Sequence, residues 1–302
     1  MNKVSFVITV YNKAPFLPGV IDALKNQTGT FEREYIFVND GSTDHSWDIV
    51  KRETDGLDHV VLIDQVNQGV TIATNNGVQA ATGDYIKLVD SDDILAPFCT
   101  ELLLNTLKSH DVDFIFAISG EYEKESDIAF PAPQNPEVII FDNPLESVIQ
   151  RGFARVSHCL FTKSLFDQAG GCDDRIFSQD HSLFIRLSAQ GKMAQVRHVV
   201  CLSPQDEPGR IMNNTAQVAH DSTLALAYYL QDHPDLAPRL YLKAQKKITA
   251  RIWKWAKRKL NAGHFSAEFF LYLLSRCGAR LPAKQLASLC RIFHKNNKIR
   301  QP

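Results

Sequence analysis

Asp90-Ser91-Asp92-Asp93 follows directly on the apolar run Tyr85-Ile86-Lys87-Leu88-Val89, so a strand that reads as buried ends in three carboxylates. Carboxylates a few ångströms apart repel one another and desolvate poorly. A hard divalent ion with oxygen ligands relieves both problems, and such an ion can in turn hold a diphosphate. The same residues admit a plainer account, in which Asp92 or Asp93 caps a helix beginning at Ile94-Leu95-Ala96-Pro97 and the others stay in water. Two more polar stretches occupy comparable places: Tyr11-Asn12 after the apolar run 4–10, and Asn39-Asp40-Gly41-Ser42-Thr43-Asp44 after 35–38. The second also has the composition of a tight turn before a capped helix. That account explains the turn but not its coincidence with two other polar strand ends.

For those ends to meet, the intervening chain must return each strand to the same edge. Runs 4–10, 35–38, 60–63 and 85–89 read as strands, and 15–26, 45–53 and 70–81 carry apolar residues at helical spacing. A strand–helix alternation of this kind predicts a mostly parallel sheet covered on both faces. Ligands of such sheets bind beyond the carboxyl ends of the strands. A helix over 100–109 and a strand over 113–118 follow. Residues 121–136 are polar with three prolines and read as a mobile excursion near the site. Order resumes at 157–161 and continues to 202. Residues 206–221, rich in Asn, Gly and Gln, read as a flexible loop with Arg210 as its strong cation.

With 302 residues, 44% hydrophobic and 22% charged, the chain can build one large domain or two unequal ones. Its net charge of −1 conceals an asymmetry: residues 1–235 hold 17 Lys and Arg against 33 Asp and Glu, whereas 236–302 hold 16 against Glu268 alone. This predicts a boundary near 235 and an anionic partner for the tail. The acidic body argues against a general nucleic-acid role. Helix 240–260 places Ile248, Ile252 and Trp255 on one stripe and Lys247, Arg251, Lys254 and Arg258 on another. Trp253 and Trp255 beside cations suit the headgroup region of an anionic membrane, and the same pattern suits packing on the body with the charges in water. Shorter helices at 271–274 and 286–293 complete a helical extension. No stretch approaches the ~20 apolar residues of a membrane span, and the N-terminus runs straight into a strand without a cleavage site. A cytoplasmic protein is expected, with its six scattered cysteines reduced and structural.

Taken in order, Ser5-Phe6-Val7-Ile8-Thr9-Val10-Tyr11-Asn12, Val38-Asn39-Asp40-Gly41-Ser42-Thr43-Asp44, Asn67-Gln68-Gly69, and Gly83-Asp84-Tyr85-Ile86 running into the acidic cluster resemble family-two glycosyltransferases of the GT-A fold. The resemblance covers about residues 3–200 and is specific because the motifs come as an ordered set. A fifth stretch, Gly170-Gly171-Cys172-Asp173-Asp174-Arg175 through Ser178-Gln179-Asp180-His181 to Leu187, is similar to the family's second acidic motif. The resemblance implies that Thr9, Tyr11 and Asp40 line the nucleoside pocket, with Asp40 accepting from the base. It places Asn67 with the donor, Asp90 on the ribose side, Asp92 as ligand to Mg²⁺ or Mn²⁺, and Arg210 by the diphosphate. Asp180 becomes the general base.

These roles suit the chemistry of inverting sugar transfer. An acceptor hydroxyl attacks the anomeric carbon as a nucleoside diphosphate departs, so a cation must neutralise the leaving group and a carboxylate must take the hydroxyl proton. Three departures from the family pattern stand out: Gln179 where a carboxylate usually precedes the catalytic Asp, Ala73-Thr74-Asn75 where an Arg is common, and Ile211-Met212-Asn213 after Arg210 where a His is common. His158 and His181 read as structural, and Asp173 and Asp174 as shaping the turn before Asp180.

The combined expectation is an α/β GT-A protein: a catalytic domain over 1–235, with a nucleotide-sugar half to about 118 and an acceptor half beyond, then a basic helical extension over 236–302. Its activity would be metal-dependent, inverting transfer of one sugar, from a UDP-sugar, to a glycan or lipid-linked acceptor of cell-surface polysaccharide or lipopolysaccharide. It would act at the inner membrane face. The rivals are a non-catalytic nucleotide-sugar-binding or scaffold protein, and a sugar nucleotidyltransferase, which would want a glycine-rich basic loop that 11–19 lacks.

Overall fold

The computed structural model describes residues 2–153, 155–205 and 213–301. Nine strands form one mixed sheet: β1 (Lys3–Val10), β2 (Glu32–Asp40), β3 (Val60–Gln65), β4 (Tyr85–Asp90), β5 (Ile94–Leu95), β6 (Phe114–Tyr122), β7 (Val138–Phe141), β8 (Cys159–Thr162) and β9 (Met193–Pro204). Their order is β3-β2-β1-β4-β8-β6-β9-β5, with β7 also paired to β9. The first four are parallel, as the strand–helix alternation requires, and β6 is parallel to β9. The antiparallel pairings fall in the second half, at β8 against β4 and β6 and at β5 and β7 against β9.

Register brings the polar strand ends together. Thr9 of β1 pairs with Val38 of β2 on one side and Asp90 of β4 on the other, and Asp40 pairs with Gln65 of β3. The crossovers are α1 (Leu17–Lys25), α2 (Ser46–Glu53) and α3 (Val70–Ala80). Helix α1 buries Leu17, Val20, Ile21 and Leu24, the three-and-four spacing of an amphipathic helix. Alternation along β1 sends Phe6, Ile8 and Val10 into one core, with α1 and α4 (Cys99–Ser109), and Val7 into the other.

That second core holds α5 (Pro144–Arg151), α6 (Lys163–Ala169), α7 (Gln179–Gln190), α8 (Thr215–Asp232), α9 (Pro238–Lys259), α10 (Ala267–Arg276) and α11 (Ala283–Leu289). Ile248, Ile252 and Trp255 of α9 join Leu183 and Leu230 there, so packing, not headgroup contact, takes up this apolar stripe. Part of the basic stripe is used internally as well: Lys247 donates to the Gln150 carbonyl at 3.0 Å and Arg251 to that of Ser222 at 2.7 Å. Burial pushes Lys247 down to about 8 and Arg251 down to about 10.

Two local expectations are corrected. Ile94-Leu95 do not start a helix; they pair antiparallel with Leu202 and Cys201, so the capping account of the acidic cluster fails. Residues 206–221 are not loop throughout, because α8 begins at Thr215, where the Asn214 side chain accepts from Gln217 N at 3.1 Å. Its polar residues Gln217, His220, Asp221 and Thr223 are buried, which hid the helix from a hydrophobic pattern. Residues 121–136 include one 3-10 turn at Glu125–Asp127. Five of the six cysteines are buried and Cys277 is exposed. Among the described residues no helix is long and apolar enough to cross a membrane.

His158 supplies a test of the core. It lies against Phe116 and Phe184, and neither ring nitrogen has a hydrogen-bond partner among the described residues. Burial, helped by Lys87 and Arg155, holds its pKa down to about 3. The unfolded chain therefore binds a proton that the fold refuses, so stability is full above about pH 6.5 and falls as pH drops toward 3. At pH 5 the loss is about 2 kcal/mol. His158→Phe should lose correspondingly less stability between pH 7.5 and 5 in urea titrations, and identical losses in both proteins would assign the acid sensitivity elsewhere.

Candidate active site

The loops after β1 and β2 are stitched by side chains to backbone. Asn12, left-handed at φ 52°, accepts from Thr43 N at 2.8 Å and Asp44 N at 3.3 Å, and Lys13 N donates to Ser46 Oγ at 2.7 Å. Asp40 pins the loop after β3: one oxygen accepts from Gln65 Nε2 at 2.9 Å and Gln68 N at 2.8 Å, the other from Gly69 N at 3.0 Å. Much of this carboxylate is thus committed inside the fold, leaving capacity chiefly on the oxygen that Gly69 holds. Gly41 sits at φ 70°, and a Cβ there would lie 2.7 Å from Asn67 N, so the close approach of the two loops requires glycine.

The acidic cluster divides by environment. Asp90 N donates to Ser157 Oγ at 2.9 Å, and the fully buried Lys87 donates to the Ser157 carbonyl, so Ser157, two residues before β8, braces the end of β4. Asp93 turns inward, accepting from Ser203 Oγ at 2.5 Å. Asp92 pairs with Lys13 at 2.5 Å. Burial, followed by the charges of Asp93, Asp92 and Asp180, raises the Asp90 carboxyl well above the usual range. Asp93, Asp92 and Asp180 thus oppose ionisation of Asp90, and a cation would relieve that repulsion.

The chemistry of this donor set fits a Mg²⁺ or Mn²⁺ ion shared with a substrate. Among the described residues no three His, Cys, Asp or Glu side chains converge to hold a metal unaided. One or two carboxylates completed by phosphate oxygens and water is the mode such ions adopt with nucleotides, and Asp92, whose carboxylate the Lys13 ammonium meets here, could supply one of them.

Asp180 reaches the same cavity from the other half of the sheet. It stands in the first turn of α7 and accepts from His181 N at 2.7 Å. Ser178, just before the helix, is held through its N–H and hydroxyl by Asp221 of α8 at 3.1 and 2.8 Å. Asn75 of α3 bonds both the N–H and the carbonyl of Cys172, and Thr71 donates to the Ile176 carbonyl at 2.7 Å. The absence of the family's arginine after Ala73 is thus matched by a structural use of this helix. Gly171, at φ 67°, would place a Cβ 2.9 Å from Asn75 Oδ1. Asp173 turns away from the cavity into an ion pair with Arg175 at 2.6 Å. Gln179 donates a long 3.4 Å hydrogen bond to Asp90, linking the two acidic motifs directly.

These elements enclose a cavity of about 700 Å³. Thr9, Tyr11, Asp40, Asn67, Asp90, Asp92 and Asp180 all line it, while Arg210 lies outside the described residues. No residue of 121–136 lines it; Glu121 acts indirectly, pairing at 3.0 Å with Arg155, which does. Sequence reasoning missed Lys13, Arg155, Asp221 and Arg300. Lys13 was legible as the cation next to Tyr11-Asn12. Arg300 was not: it reaches the cavity because Gln217 bonds both its N–H and its carbonyl, at 2.6 and 3.2 Å, and Asn214 holds the Lys298 carbonyl.

A sequence model described as Glycosyl transferase family 2 matches residues 5–170. The uncharacterized glycosyltransferase YibD of Escherichia coli K12 is 38% identical over 112 residues, covering 37% of this chain and 32% of that protein. Glycosyltransferase GlyA of Streptococcus pneumoniae serotype 4 is 32% identical over 187 residues, covering 55% and 25%. The matches thus span about a third or less of these relatives' length. Among solved structures, TarS 1–349 of S. aureus in complex with UDP-GlcNAc aligns with a TM-score of 0.59 at 14% identity, covering 99% of this chain and 93% of that one. The mannosyltransferase PcManGT from Pyrobaculum calidifontis, in complex with GDP-Man and Mn²⁺, aligns at 0.57 and 17% identity, covering 96% and 84%. At such identities the likeness is one of fold.

Proposed function

Because this chain belongs to glycosyl transferase family 2, we propose that it transfers one sugar, with inversion, from a UDP-sugar to a glycan or lipid-linked acceptor in lipopolysaccharide or capsule assembly. The observation that carries this reading is the meeting of two acidic motifs, Asp90-Ser91-Asp92 and Asp180, in one cavity that Thr9, Tyr11, Asp40 and Asn67 also line. Residues 1–118 then serve the donor, 119–235 the acceptor, and 236–302 form an accessory extension.

In this mechanism Thr9, Tyr11 and Asp40 seat the nucleoside and Asn67 closes over it. Asp92 holds the Mg²⁺ or Mn²⁺, which when bound neutralises charge growing on the diphosphate. Lys13, released from Asp92, stays within reach of the phosphates as a second cation. Asp180 takes the acceptor hydroxyl's proton on the carboxylate oxygen not held by His181 N. Gln179 keeps Asp90 in register with α7 without adding a further negative charge.

Solved fold neighbours in complex with UDP-GlcNAc and with GDP-Man and Mn²⁺ support a nucleotide-sugar donor, so both nucleotides belong in the test. The protein should be incubated with Mn²⁺ and a panel of UDP- and GDP-sugars, and release of nucleoside diphosphate by slow hydrolysis followed. One UDP-sugar is expected to stand out. Selective GDP-sugar hydrolysis would overturn the choice of nucleotide, and no hydrolysis or calorimetric binding of any donor would sink the catalytic reading.

A further inference from the structure

Four of the nine exposed large apolar side chains among the described residues fall within ten positions: Phe265 (94% exposed), Phe270 (52%), Leu273 (40%) and Leu274 (48%). Phe270, Leu273 and Leu274 are spaced by three and four along α10 and share one face, which the exposed Cys277 continues. Helix α10 is anchored by other residues: Phe269 packs on Trp253 at 4.9 Å, and Ser275 hydrogen-bonds Thr249 of α9 at 2.7 Å. Its outward face therefore points away from the contacts that hold it.

The chain on either side of this face is cationic. Lys254, Lys257, Arg258 and Lys259 are exposed at the end of α9, and Arg276 and Arg280 are exposed at and beyond the end of α10. Glu268 is the lone acid of residues 236–302. We propose that this face, Phe265 with Phe270, Leu273 and Leu274, docks the protein on an anionic lipid surface, the rings and leucines entering the headgroup–acyl boundary while the lysines and arginines meet lipid phosphates.

Charge complementarity selects this occupant. A second copy of the face would set one cationic rim against another, and a nucleic acid would leave Leu273 and Leu274 without an apolar partner. The assignment moves the membrane contact off the tryptophans of α9, since Trp255 is in the core and Trp253 packs on Phe269. It deepens the reading of a lipid-linked acceptor, and its test contains no sugar donor, so either can fail alone.

The test floats the full chain with phosphatidylcholine vesicles, with and without phosphatidylglycerol, at physiological salt. The protein should rise with the anionic vesicles, and the bound fraction should drop at least about fivefold on neutral vesicles or for Phe265→Ser/Phe270→Ser/Leu274→Ser. Because these side chains are exposed, the variant should keep the parent's helical circular dichroism and melting midpoint. Lys257→Gln/Lys259→Gln, which leaves the apolar face intact, should weaken flotation and flatten its dependence on salt, since fewer cations meet the lipid phosphates. No flotation by the parent, or equal flotation by the triple variant, would overturn the proposal. So would a parent dimer in light scattering that the triple variant abolishes, since the face would then join two copies.

Discussion

Asp92→Asn is expected to cut donor turnover by about a thousandfold or more, ~4 kcal/mol in the barrier, and to abolish the Mn²⁺ dependence of nucleotide binding. Among the described residues Asp92 pairs with a cation, Lys13, whereas Asp93 accepts from Ser203 and burial raises the Asp90 carboxyl. The amide keeps the shape of the side chain but neither its charge nor its strength as an oxygen ligand for a hard ion. The effect should appear without catalysis, as loss of nucleotide-dependent Mn²⁺ binding in electron paramagnetic resonance. Undiminished Mn²⁺-dependent nucleotide binding by the variant would remove Asp92 from the metal site.

Asp180→Asn should separate binding from chemistry. Asn retains an oxygen to accept from His181 N, so the first turn of α7 and its Asp221 anchor should hold. It cannot take a proton from an acceptor hydroxyl. Transfer to acceptor should therefore fall about 10²- to 10⁴-fold, while the Kd for nucleotide with Mn²⁺ stays within about threefold of the parent. Parallel loss of nucleotide binding would make Asp180 part of the donor site, and undiminished transfer would leave the base unassigned.

Most of the first half of the fold was legible because its signals are local. Residues 4–10, 35–38, 60–63 and 85–89 are short apolar runs between amphipathic helices, and each became a parallel strand. A polar residue directly after such a strand must emerge at the sheet's carboxyl edge, which groups Tyr11, Asp40, Asp90 and Asp92 from sequence alone, whereas Thr9, inside β1, is implied only by the family resemblance. Residues 94–97 misled for the converse reason. Two residues pairing with Leu202 and Cys201, more than a hundred positions away, carry no periodicity of their own.

The parallel core, the acidic strand end and the family are all legible in local sequence, since each depends on side chains that are neighbours along the chain. Tertiary structure alone decided how those pieces are held. Asp221 of α8 meets Ser178, Lys87 braces Ser157, and the chain near Arg300 returns to the cavity through Gln217. It also turned the α9 tryptophans inward and left the apolar face of α10 outside. The physical reason is range: strand and helix patterns are set within a few residues, whereas the partner of a buried polar group, and which of two amphipathic helices covers the other, is chosen only when distant segments pack.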